Sequence, residues 1–165
     1  MRYAEYVVDS LDVERRLQKM AEDAVEGFVR QMTRYLKEPI SRDAIKIEVL
    51  PPPHFPKALP PGKQAVFAFY WPEKDRFLAV ALAGPNSNAR FQSQHYLPAS
   101  SGSNLARKIL QHKGALGIDD VDENTVGLWM KGNLARVNFY LPASINKEVL
   151  KYFKDYLKLT WKPAF

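Results

Sequence analysis

Residues 64–96 of this 165-residue chain, QAVFAFYWPEKDRFLAVALAGPNSNARFQSQHY, decide its fold. Two apolar runs, 65–71 and 77–83, flank the polar segment 72–76. Short runs rich in Val, Phe and Tyr that end at turn residues predict strands rather than helices, and the gap between them suits a hairpin. Because both runs are apolar at nearly every position, we expect other elements to cover both faces of this hairpin.

The N-terminal part predicts a long helix followed by a strand. Over residues 11–37 apolar side chains recur at spacings of three and four, with charged side chains on the other face. This pattern predicts an amphipathic helix that packs on the sheet; a helix that binds a partner protein is the alternative. The apolar–polar alternation over 45–50 predicts a strand at or near a sheet edge, with one face in water.

A proline-rich segment follows that strand. Residues 51–62 contain six prolines, which lack a backbone N–H and favour an extended chain. We therefore expect a tether at 51–63 that separates a helix–strand extension, 1–50, from a second unit, 64–165. Within the tether, His54 is expected to pin the loop, with docking on another surface as the alternative.

Further helices and one more strand are expected after the hairpin. Turn residues 84–88 lead into a short helix, and the later patterns predict helices over 103–112, 123–131 and 145–159. Residues 135–141 predict a third strand of the core sheet, with Arg136 and Asn138 on one face. The expected fold class is α/β in the sense of α+β: a small antiparallel sheet of about three core strands flanked by helices, with the N-terminal helix and strand added.

Composition narrows the classes of partner. Cysteine is absent, which excludes disulfides and thiolate metal sites, and the three histidines are too widely spaced to predict a zinc site. No apolar run approaches the length of a membrane span, so we expect a cytoplasmic protein with no membrane partner. The formal net charge of +6 favours a polyanionic partner, and we expect DNA. A basic surface that only contacts solvent is the alternative.

The segment GPNSNARFQSQHY at 84–96 resembles the GIY-YIG nuclease family, and within it a bacterial branch with the pattern Gly-Pro-x-Ser-Asn-Ala-Arg-Phe-x-Ser-Gln-His-Tyr. The likeness covers roughly residues 64–165 and continues in the segments SNLA, VGLWMK, RVNF and WKPAF, which begin at residues 103, 126, 136 and 161. The resemblance implies a small nuclease fold. It also implies a cleft in which an Arg binds the phosphate and a Glu of the last helix holds Mg²⁺.

Most of the catalytic positions that the resemblance assigns are replaced in this chain. Phe67 stands at the Tyr of the first motif, Ala79 at a Lys of the second, and Lys154 at the metal-binding Glu. The resemblance therefore implies a cleft that lacks the groups needed for catalysis. Its remnant is expected to be formed by Phe67, Ala79, Arg90, His95, Tyr96 and Lys154, with nucleic acid bound by Arg90, His95, Lys154 and Arg136.

Three functions follow as hypotheses. The first is a catalytically degenerate nuclease-like protein, without a cofactor, that binds DNA or a larger protein in a defence or restriction complex. The second is an active Mg²⁺-dependent endonuclease that uses Asp155 or Glu148, although helical geometry predicts that both point away from the position of Lys154. The third is a protein-interaction module without nucleic-acid binding, which uses the helix at 11–37 or the tether.

Overall fold

Four antiparallel strands form one sheet in the part of the chain that the computed structural model describes, residues 9–35 and 40–165. The strands are β1 (Lys46–Leu50), β2 (Lys63–Trp71), β3 (Arg76–Ala83) and β4 (Ala135–Pro142), and their order across the sheet is β1-β4-β2-β3. The α-helices of these described residues are α1 (Ser10–Tyr35), α2 (Asn88–Gln92), α3 (Leu105–Gln111), α4 (Lys113–Leu116), α5 (Val126–Asn133) and α6 (Lys147–Trp161). The predicted α+β class is confirmed, and the sheet has a fourth strand because β1 pairs with β4.

β2 and β3 form the predicted hairpin. All residues of β2 after Lys63 are buried, and a single 3-10 turn at Pro72–Lys74 joins the two strands. The pairing register shifts between Phe69 and Tyr70, where β3 carries one extra residue in a β-bulge. Both faces of the hairpin are covered, as the uniformly apolar pattern predicted.

α1 and α6 cover one face of the sheet. Phe153 of α6 packs against Phe28 of α1 and Phe139 of β4, with ring centroids 4.6 and 4.9 Å apart. Trp161 at the end of α6 stacks on Phe77 of β3, with centroids 4.2 Å apart. Aromatic pairs of this kind add to the free energy gained by burying apolar surface, so α1 is a core element of the fold.

α2, α3 and α5 cover the opposite face.

α3 and α6 begin two residues later than predicted, because the side chains of Asn104 and Asn146 cap them. α5 begins later because Asp122 accepts backbone N–H groups of Asn124 and Thr125 in a turn before it. The predicted end of the first helix, at 36–37, lies outside the described residues. No described helix is long and apolar enough to cross a membrane.

The N-terminal extension belongs to the same packing unit as the rest of the chain. β1 pairs with β4 along its whole length, and α1 contributes buried side chains to the core. The proline-rich segment is bonded to the fold, since the His54 backbone N–H donates to Lys131 O at 2.8 Å. The predicted tether at 51–63 does not separate 1–50 from 64–165, because an extended chain with few backbone donors can still be fixed by its remaining groups.

Candidate functional site

A cleft of about 440 Å³ lies beside the edge strand β3. Residues 79–82 of β3 line it, together with side chains of α6 on one side and of α2, α3 and the turn between them on the other. We call this site the β3 cleft. Its charged lining residues are Arg90, Lys108, Lys151, Lys154, Asp155 and Lys158.

Positive charge dominates the β3 cleft. Lys151, Lys154 and Lys158 project from one face of α6, because spacings of three and four residues bring side chains into line on a helix. Lys151 Nζ pairs with Glu148 at 3.4 Å, and the other four cations of the lining still outnumber Asp155. A concave site lined mainly by charges of one sign raises the local concentration of oppositely charged ligands.

Arg90 is held in the cleft by backbone carbonyls. Its Nε donates to Leu82 O at 3.1 Å, and its Nη1 donates to Ser103 O at 3.3 Å. Leu82 belongs to the sheet edge, where carbonyl groups are free for such a contact. A guanidinium has five N–H donors, so Arg90 is fixed in orientation and still has donors for a ligand.

His95 lines the same cleft with a neutral ring whose Nε2 atom is buried. Its Nδ1 accepts the backbone N–H of Leu105 at 3.3 Å, which places the ring proton on Nε2. Burial, followed by the charges of Arg90, Arg136 and Lys108, lowers the pKa of His95 to about 3. The Nε2 atom has no hydrogen-bond partner among the described residues. His95 lines the cleft although it is only 5% exposed.

Phe67 and Tyr96 do not line the β3 cleft. Phe67 has no exposed surface, and its ring lies under His95 with centroids 5.4 Å apart. Tyr96 is 3% exposed, and its hydroxyl bonds to His54 Nε2 at 2.7 Å inside the protein. Of the six residues expected in the remnant cleft, the structure brings together Ala79, Arg90, His95 and Lys154.

The expectation that Arg136 contacts nucleic acid is corrected by its complete burial. Its guanidinium donates to Asn138 Oδ1 at 2.8 Å and to the carbonyl of Phe91. Its planar group lies 4.4 Å from the ring centres of both Phe67 and Phe91. Buried cations are retained where hydrogen bonds and aromatic faces replace water, so Arg136 is a structural residue.

Sequence reasoning missed the buried polar chain to which Arg136 belongs. His54 Nδ1 donates to Leu134 O at 2.6 Å, its Nε2 accepts from the Tyr96 hydroxyl, and burial lowers the pKa of His54 to about 4. At the other end, Tyr140 Oη donates to Glu48 Oε1 at 2.8 Å. The signal for such a chain was the run of polar groups at alternate positions of β4, whose partner is the partly buried Glu48 on β1.

The carboxylates of α6 are placed differently from the prediction. Asp155 lines the β3 cleft beside Lys154, because the cleft extends over enough of α6 to include both side chains. Glu148 pairs with Lys151 instead. In the described residues no group of three or more His, Asp or Glu side chains is arranged to hold a metal ion. One carboxylate among five cations does not fit Mg²⁺, which needs several oxygen ligands and is repelled by ammonium groups.

No family model, curated protein or solved structure matches this chain. The kinship suggested by residues 84–96 therefore stays a prediction, and the proposal for function rests first on the β3 cleft.

Proposed function

We propose that the protein binds DNA through the β3 cleft without cutting it, as a catalytically degenerate nuclease-like protein. The observation that carries this proposal is the cleft lining of five cations with a single carboxylate. Such a lining attracts the phosphate groups of a nucleic-acid backbone. The same charges oppose a divalent cation, which a nuclease of the family that residues 84–96 resemble would need.

Three side chains would bind a backbone phosphate in distinct ways. Arg90 offers N–H groups in a fixed plane, which suits the oxygens of a phosphate. Lys154 supplies a mobile point charge from α6. His95 would supply the Nε2–H donor. Because the pKa of its ring is lowered to about 3, the ring is neutral throughout the physiological pH range. These contacts recognise the phosphate backbone and not the base edges, so we expect little preference for base sequence.

Anisotropy titrations of labelled single-stranded and duplex DNA over a salt series test this proposal. For the wild type we expect affinity to fall steeply between about 50 and 200 mM salt. Lys154→Ala should weaken binding to all sequences and reduce the slope of log Kd against log salt by about 1. The matched control is Lys19→Ala, which removes an exposed lysine of α1 that pairs with Asp23 and does not line the cleft.

The absence of salt-dependent affinity for any DNA or RNA would refute the proposal. Equal effects of Lys154→Ala and Lys19→Ala would show that general charge, rather than the cleft, drives binding.

The second candidate, a Mg²⁺-dependent endonuclease, is favoured only by the position of Asp155 in the cleft. We rank it second because the donor set does not fit the metal. Incubation with plasmid DNA and Mg²⁺ or Mn²⁺ distinguishes the two. Cleavage that is lost in both Arg90→Ala and Asp155→Asn would establish the enzyme.

We further propose that the protein acts in a nucleic-acid-handling complex of defence or restriction type, which rests on the resemblance alone. Purification of the tagged protein from its native host, with and without nuclease treatment, tests this. A partner protein that is lost on nuclease treatment fits the proposal. A partner that is retained favours the interaction-module hypothesis.

A further inference from the structure

A second cavity, of about 480 Å³, lies at the hairpin end of β3. We call it the hairpin hollow. Two cations line it, Lys74 from the turn and Arg76 from the start of β3, and its other walls are Trp71 and residues 114–117 of α4 and its cap. No carboxylate lines the hollow.

Asp75 lies on the opposite side of the hairpin from its two cationic neighbours. Asp75, which separates the two cations in sequence, bonds to the Tyr70 hydroxyl and lies 3.6 Å from Arg16 of α1. That carboxylate is therefore engaged with α1, on the other side of the sheet. Lys74 and Arg76 have no ion-pair partner among the described residues, and their charge faces the hollow unopposed by a lining carboxylate.

Trp71 supplies a second and independent sign of a ligand. Its side chain is 2% exposed, and its Nε1–H has no hydrogen-bond partner among the described residues. A buried indole N–H usually finds an acceptor, and leaving one unsatisfied is unfavourable. The ring is held by an edge contact with Trp129 at 5.2 Å and lies under Lys74 Nζ at 5.9 Å. Trp71 lines the hollow beside the two cations, so its buried donor belongs to the wall of that cavity.

The hollow and the β3 cleft lie on the same edge strand. Arg76 lines the hollow and Val80 lines the cleft, and four residues of a strand span about 13 Å. Between them the backbone N–H groups of Ala164 and Phe165 donate to the carbonyls of Phe77 and Leu78, both at 3.0 Å. The C-terminal residues therefore form a ridge between two cationic sites, and Phe165 also lines the cleft.

We propose that the hairpin hollow is a second phosphate-binding site for the nucleic-acid strand that occupies the β3 cleft. Trp71 Nε1–H, Lys74 and Arg76 would bind one backbone phosphate, and the strand would cross the ridge at Phe165. A separation of about 13 Å exceeds the spacing of neighbouring phosphates, so the two sites would bind different phosphates of one strand. This inference rests on the proposed function, because it places a second contact on the same ligand.

Anisotropy titrations with strands of increasing length test the inference. The variant Lys74→Ala/Arg76→Ala removes two exposed cations and leaves the core intact. The control Arg15→Ala/Lys19→Ala removes two exposed cations of α1 that line neither site. We expect the hollow variant to reduce the salt slope by about 2, and only for strands that are long enough to reach both sites. The control should leave the slope unchanged.

A second measurement follows the Trp71 donor directly. The three indole N–H signals in a ¹⁵N-correlated NMR spectrum belong to Trp71, Trp129 and Trp161, and Trp71→Phe assigns the first by its disappearance. In the wild type, a strand that is long enough to reach both sites should shift the Trp71 signal at lower concentrations than a dinucleotide does.

The outcomes separate this inference from the proposed function. If the wild type binds and Lys154→Ala weakens binding, but the hollow variant behaves as its control and the Trp71 signal does not move, the hollow is not a site and the proposed function stands. If the wild type has no salt-dependent affinity for nucleic acid, both fail together.

Discussion

At the scale of single residues, Arg136 poses the main electrostatic problem of this fold. Its guanidinium is fully buried and donates to Asn138 Oδ1. Asn138 in turn donates to Glu48 Oε1 at 3.0 Å, so one amide connects the cation to a carboxylate. Burial raises the pKa of Glu48, but hydrogen bonds from Lys57, Asn138 and Tyr140 outweigh it and hold the pKa below its ordinary value. Glu48 is therefore ionised at neutral pH and serves as the counter-charge of the buried chain.

We expect Glu48→Ala to lower the free energy of unfolding by about 3 kcal/mol, because it removes the acceptor of Asn138 and Tyr140 and the counter-charge of the buried Arg136. Lys57→Ala is the control. It removes a partner of Glu48 that is 58% exposed, and should cost less than about 1 kcal/mol. Urea unfolding at neutral pH measures both values, and equal losses would contradict the assigned role of Glu48.

The two buried histidines predict a pH dependence of stability. The folded state holds His54 and His95 neutral, with the pKa values lowered to about 4 and about 3, whereas the unfolded chain takes up protons near pH 6.5. In this window the unfolded state binds more protons, so stability falls as the pH drops below about 6.5, by about 1.4 kcal/mol per pH unit for each histidine. Urea midpoints between pH 7 and pH 5 measure the slope.

His95→Asn retains an acceptor for the Leu105 N–H and removes the titrating ring, so it should reduce that slope by about half. A slope that is the same in wild type and variant would show that His95 is not held neutral by the fold.

Residue roles were only partly predictable from the sequence. The alternation in β4 places Arg136 and Asn138 on one face, and that holds in the structure. Nothing in the strand itself reveals that this face is buried, because the cover comes from α2 and from β1 through Glu48, which are distant in sequence. Asp155 was expected to point away for a similar reason, since the width of the β3 cleft depends on α3 as much as on α6.

At the scale of elements, the periodicity and turn chemistry of the sequence were sufficient for the strands and most helices. The hairpin strands were predicted to within about two residues because their apolar runs end at proline and glycine turns. Helix starts shifted wherever an Asn or Asp side chain formed the cap or a preceding turn, as Asn104, Asp122 and Asn146 do. The close approach of α5 to the turn after α2 has no local sequence signal beyond a glycine.

That approach predicts opposite effects for two glycines of α5. A Cβ on Gly127 would lie 2.8 Å from the backbone oxygen of Tyr96, whereas one on Gly132 would meet nothing within 4 Å. Gly132→Ala should stabilise the protein by up to about 1 kcal/mol through helix propensity. Gly127→Ala should destabilise it by roughly 1–3 kcal/mol, because backbone has to move. Thermal and urea unfolding compare the two, and a stabilising Gly127→Ala would disprove the close contact.

At the scale of the whole molecule, the sheet joins parts of the chain that the proline content of the segment between them predicted to be separate units. Proline content at 51–63 predicts an extended segment, but composition does not reveal which groups that segment bonds, such as the His54 N–H and Lys131 O. β1 completes the sheet beside β4, and Val13, Leu17 and Phe28 of α1 are almost completely buried. Residues 9–35 and 40–50 therefore share one core with residues 64–165.

A fragment that starts at residue 64 should not fold alone. It would lack β1, which pairs with the edge of β4, and α1, which covers part of the hydrophobic core. We expect poor dispersion in its amide NMR spectrum and no cooperative unfolding transition by circular dichroism. Co-expression with the segment 1–63 should restore both signals. It serves as the control that the fragment is able to fold when the missing elements are present. A fragment that unfolds cooperatively by itself would support two separate domains.

The cover on β3 also bears on how molecules meet at high concentration. Ala164, Phe165 and Arg90 occupy the outward carbonyls of Phe77, Leu78 and Leu82. An edge strand with open backbone groups recruits strands from other molecules and leads towards fibrils. The groups that border the two cationic sites thus also keep neighbouring copies from extending the sheet, which favours a protein that stays dispersed at high concentration.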